Sequence, residues 1–128
     1  MTLEGQDLMP RLITIAAILT TVACGSTEPI ACTAVFVYGI SVQVVDAATS
    51  VPITEGLAGD LMEAQYTEAM DVFGNTLVGA GERPGNYSIV VSAPGYEAWS
   101  RSGIEVLGGE CHVSPVGLEA RLSPSPSV

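Results

Sequence analysis

Turn signals recur along this chain every eight to twelve residues, and short Val- and Ile-rich runs fill the gaps between them. Such punctuation favours many short strands over a few long helices. The clearest stretch is 83–107. Arg83-Pro84-Gly85-Asn86 reads as a turn, 87–93 as a strand with Tyr87, Ile89 and Val91 on one face, and Pro94-Gly95 as a second turn leading into Tyr96 and Trp99. Residues 103–107 read as another strand, closed by Gly108-Gly109. In the last strand Val116, Leu118, Ala120 and Leu122 alternate with Gly117, Glu119 and Arg121. Upstream, 34–38 and 40–45 are Val-rich strands, 46–52 is a turn region, and 77–80 is a short strand after Gly74-Asn75. Residues 56–70 stay open. Met62, Tyr66 and Met70 recur at four-residue helical spacing, yet Ala64-Gln65-Tyr66-Thr67 suits a strand equally well. The pattern predicts an all-β sandwich over 34–122 and a disordered tail over 123–128, SPSPSV.

Ahead of this domain, residues 12–23 (LITIAAILTTVA) form an uncharged, mostly apolar run after Arg11. As a helix it would rise roughly 18 Å, against about 30 Å of bilayer hydrocarbon. It is too short to span and fits the apolar region of a signal peptide over 1–23. Glu4 and Asp7 disagree with the basic start such peptides need, whereas a start at Met9 gives Met-Pro-Arg and then the apolar run. Thr21-Val22-Ala23-Cys24 resembles the lipobox of bacterial lipoproteins, with Thr21 where Leu is usual. The resemblance implies a diacylglycerol on the Cys24 thiol, cleavage after Ala23, and a lipid bilayer as partner through acyl chains. The competing reading is an ordinary secretory signal in which Cys24 falls by chance. Gly25 follows, not the Asp that retains many Gram-negative lipoproteins at the inner membrane, so an outer-membrane location is expected in such a host. Residues 24–33 then serve as a short tether.

If Cys24 carries lipid, Cys32 and Cys111 remain as a pair, and outside the cytosol such pairs oxidise readily. The bridge would close a loop of about 80 residues, worth roughly 4.5 kcal/mol in the chain-entropy model. Two Cys and the single His112 fall short of a tetrahedral metal site, and neither a metal nor a cofactor is expected. His112 is expected on a strand beside the disulfide, neutral and hydrogen-bonded.

Two segments resemble the carboxypeptidase regulatory-like domains. Residues 84–96 (PGNYSIVVSAPGY) match their Pro-Gly-x-Tyr…Gly-Tyr segment, and Asp46-x-x-Thr49-Ser50-x-Pro52-Ile53 matches an Asp-x-x-Thr-Gly-x-Pro-Ile turn, with Ser50 in place of Gly. Asp71-x-x-Gly74 resembles a mid-domain turn of the same group. The likeness covers about 38–122 and implies a seven-stranded transthyretin-like sandwich with a non-catalytic docking, folding or sugar-binding role. Gly85 and Gly95 suit positive φ at its turns. The wider fold includes the hydroxyisourate hydrolases, whose several His and C-terminal Tyr-Arg-Gly-Ser are not found here.

Charge narrows the partners. Fourteen Asp and Glu stand against four Arg, for a formal net charge of −10. Nucleic acid is therefore not an expected partner, since phosphate contacts need clustered cations. No Gly-x-Ser-x-Gly, His-Glu-x-x-His, Walker loop or dinucleotide fingerprint occurs. The expected function is a lipid-tethered interaction module that docks a membrane-proximal protein. The alternatives are a carbohydrate or peptidoglycan binder using Trp99, Tyr96 and Tyr87 as an aromatic platform, and an enzyme with His112 as its base.

Overall fold

The computed structural model describes residue 25 and residues 31–126. The apolar run, Cys24 and most of the tether lie outside the described residues.

Among the described residues, eight strands make two four-stranded sheets. They are β1 (Tyr38–Asp46), β2 (Ala58–Glu63), β3 (Tyr66–Ala69), β4 (Asp71–Phe73), β5 (Thr76–Gly81), β6 (Gly85–Ser92), β7 (Trp99–Val106) and β8 (Val116–Leu122). One sheet has the order β4-β5-β1-β8 and the other β3-β2-β6-β7. The count is eight where seven were expected, because 66–73 supplies two short edge strands. All pairings are antiparallel except β1–β8, the first and last strands, which run parallel from Ile40↔Val116 to Asp46↔Leu122.

The period-two pattern explains why the sheets face each other. Ile40, Val42 and Val44 point inward from β1, Ala120 and Leu122 from β8, and Tyr87, Ile89 and Val91 from β6. Leu61, Leu77, Ile104 and Val106 complete one core between the sheets. Each fully buried Val, Leu or Ile contributes roughly 1.5–3 kcal/mol relative to exposure. Gly79 matters by having no side chain: a Cβ there would collide with Leu61 and with the Glu68 carboxylate, so the close approach of the sheets needs glycine.

Several expectations change. Residues 56–70 hold no helix; β2 and β3 form a hairpin turning at Ala64-Gln65, with Ala64 at φ +51°. β7 begins at Trp99, four residues earlier than expected. The register with β6 shifts between Tyr87 and Ile89, and Gly103 takes φ +69° at that bulge. Residues 34–37 are not a strand. Beyond Gly81 the neighbouring chain bends away, since Ala80 and Glu82 adopt φ +53° and +48°, and the last backbone bond to it is the Glu82 amide on the Val37 carbonyl. The expected turn at 83–86 is thus centred earlier, at Glu82, and Gly85 already belongs to β6. Gly85, at φ 159°, is extended; glycine is needed there because a Cβ would strike the Glu63 carboxylate. Gly95 does take the expected positive φ, +83°. The expected free tail is tied down over its first residues, with Ser125 donating to the Gly95 carbonyl and Glu97 to that of Ser123.

Candidate functional site

The sandwich has two poles, separated by the length of β1, roughly 27 Å for eight steps of about 3.4 Å. At one pole the chain arrives from Cys24. At the other lie the 46–52 turn, Pro94-Gly95 and Ser123.

The distal pole is built around Asp46. One carboxylate oxygen accepts the amides of Ala48 (2.7 Å) and Thr49 (3.0 Å), as in an Asx turn, and the other accepts the Tyr96 hydroxyl at 2.8 Å. The Tyr96 hydrogen bond, then the Thr49 amide, holds Asp46 below the usual carboxylate range despite some burial. The same bond pushes Tyr96 up. The two segments that carry the family likeness therefore meet here, and their polar residues serve to fasten one turn to the other. Ser50, where the pattern has Gly, sits at φ +62°, the backbone that glycine prefers. Beside this fastening opens a groove of about 370 Å³, lined by Asp46, Val51, Ile53, Glu55, Pro94 and Tyr96. Val51 is exposed at its rim. The lining mixes apolar walls with carboxylates, which suits a protein segment better than an anionic ligand.

The proximal pole is held by a strap, residues 31–37. The Cys32–Cys111 disulfide is formed, with a Cα–Cα distance of 5.1 Å across a separation of 79 residues. The Val37 amide donates to Glu82 Oε1 (2.8 Å), and Glu82 Oε2 accepts the Val113 amide (3.3 Å). His112 lies in a bend, not on a strand as expected, and it is hydrogen-bonded on both ring nitrogens. Nδ1 meets Glu82 Oε1 at 2.6 Å and Nε2 meets Thr33 Oγ1 at 3.1 Å. Burial alone would raise Glu82, but the His112 bond and the two amides outweigh it and lower its pKa. Hydroxyl, imidazole and carboxylate thus stand in the order of a nucleophilic triad. They line an open groove of about 430 Å³ with Cys32, Val35, Phe36 and Cys111.

The three aromatic residues expected to form a platform do not come together. Tyr87 is 0% exposed in the core, its hydroxyl donating to the Arg83 carbonyl and accepting from Arg83 Nη1, both at 2.8 Å. Arg83 also pairs with Glu63 at 2.9 Å and lies 3.6 Å from the Tyr66 ring centre, so the Tyr87 hydroxyl ends in a part-buried polar network. Tyr96 is committed to Asp46. Trp99, partly buried like Tyr96, has Arg101 beside its ring. Among the described residues no three His, Cys, Asp or Glu side chains gather as metal ligands.

Sequence reasoning missed Thr33 and Glu82, since nothing in their local pattern links them to His112 some 79 and 30 positions away. The Asp46–Tyr96 pair could have been found, because both residues stand in the two recognised motif segments. No known family model matches the chain, and no curated protein matches it.

Proposed function

We propose that the chain is an exported bacterial lipoprotein, anchored by acyl chains on Cys24, whose transthyretin-like sandwich is a non-catalytic module docking a membrane-proximal protein. The observation that carries this reading is the distal groove. The chain enters at the proximal pole, so a tether from Cys24 leaves the groove of Val51, Ile53 and Tyr96 facing away from the bilayer, toward partners. Seven residue steps lead from Cys24 to Ala31 and reach at most about 25 Å, which confines those partners to the neighbourhood of the membrane. Gly25 after the lipidated cysteine fits an outer-membrane location in a Gram-negative host. Crosslinking in living cells from a photoreactive residue at Val51 tests the reading. A discrete protein adduct with the wild-type anchor, lost with Cys24→Ala, is expected. Cell-wall material, or no adduct, would contradict it.

The Thr33–His112–Glu82 arrangement favours a second reading, hydrolysis of small acyl esters. Thr33 Oγ1 would attack the carbonyl as His112 takes its proton and returns it to the departing alcohol. Water, deprotonated by His112, would then cleave the acyl–Thr33 ester to release the acid and restore the hydroxyl, with Glu82 orienting the ring. Turnover of a nitrophenyl ester that disappears in both Thr33→Val and His112→Ala would support it. Turnover equal to the variants' would sink it.

A further inference from the structure

Of the six large apolar side chains that stand exposed among the described residues, three gather at one pole, the others being Val51, Val72 and Phe73. Val35 and Phe36, each 61% exposed, project from the strap, and Leu107, 57% exposed, follows β7 at the same pole. The strap is rigidly held: the disulfide fixes Cys32, Val37 exchanges hydrogen bonds with Glu82 on both sides, and the Phe36 ring rests over Gly81 and edge-on to Tyr38. A segment clamped so firmly has no local reason to display Val and Phe to water. Eleven positions separate Val35 from Cys24, and the seven steps that lead to Ala31 reach at most about 25 Å. The acyl-bearing residue must therefore lie within reach of this same face.

Resting on the lipid-anchor reading, we infer that the proximal pole seats on the bilayer, with Val35, Phe36 and Leu107 entering the headgroup–acyl boundary of a zwitterionic surface. Three side chains are too few to hold a domain on a membrane by themselves, but an anchored domain already has the bilayer at high local concentration. The charge at this pole selects the kind of surface. Glu82, Glu105 and Glu110 lie there, and the nearby Arg83 is engaged by Glu63, so an anionic surface would repel the face. Seating would fix the orientation of the sandwich and hold the distal groove a full domain length from the lipid.

The single tryptophan makes the test direct, because Trp99 lies toward the distal end of β7. Membrane-extracted protein is reconstituted in phosphatidylcholine vesicles with brominated acyl chains, and intact mass of the same sample reports lipid on Cys24. Three forms are compared: wild type, Phe36→Trp with Trp99→Phe, and Leu107→Trp with Trp99→Phe. The second reporter guards against misfolding of the first. Both proximal reporters should lose about half or more of their emission to the brominated chains while Trp99 loses little. A lipidated protein whose proximal reporters are unquenched overturns the seating and leaves the anchor intact. Reporters shielded from aqueous acrylamide yet unquenched by bromine mean that a protein surface or a second copy covers the patch, which also overturns it. Protein without lipid on Cys24 removes the anchor reading and the seating together.

Discussion

Ala64 shows how one residue can hide an element. It occupies the first central position of the β2–β3 hairpin at φ +51°, where a glycine would have announced the turn. With Ala there, the spacing of Met62, Tyr66 and Met70 competes as a helix signal. An L-residue in the left-handed region costs about 1–2 kcal/mol, partly offset by glycine's larger entropy loss on folding. Ala64→Gly should therefore raise stability by up to about 1 kcal/mol, measured by urea unfolding; a loss would contradict the backbone assignment. Asp46 supplies a pH prediction. Its pKa is lowered in the folded state, chiefly by Tyr96, so the unfolded chain binds the extra proton. The stabilisation is full above the ordinary carboxylate value and is lost as pH falls through the lowered one. Tyr96→Phe should destabilise near pH 6, and its difference from wild type should shrink toward about pH 3. A difference independent of pH would mean that Tyr96 acts by packing alone.

Elements were legible where alternation and turn chemistry agreed. β6 and β8 are readable because Tyr87, Ile89 and Val91 and the Ala120–Leu122 alternation put an apolar face inward, and β5 because 77–80 is a continuous run buried at every position. The sequence pattern shows only the inner half of β7, because its outer half is Ser100-Arg101-Ser102, exposed on an edge strand, with the bulge at Gly103 breaking the period. The strap resembles a strand in sequence because Val35 and Phe36 are strand-type residues, yet both are exposed and do not hold the segment in place by burial. Its fastening is long-range: disulfide, Glu82 and His112. Pair replacement Cys32→Ser with Cys111→Ser should cost about 2–4 kcal/mol in thermal or urea unfolding. An unchanged midpoint would show that the hydrogen bonds to Glu82 suffice.

For the molecule as a whole, the sandwich-like arrangement was visible in the rhythm of turns, while the two poles were not. Polarity of the fold depends on which side chains meet across 30 to 79 positions, and no local pattern encodes that. If the chain is the lipoprotein proposed above, the covalent state of Cys24 decides which pole faces lipid. Intact mass spectrometry of the protein extracted from membranes tests it most directly. The account predicts a chain that begins at Cys24, carries two or three acyl chains, and has Cys32 and Cys111 oxidised. A mature chain with an unmodified Cys24, or one released freely into the medium, would contradict it.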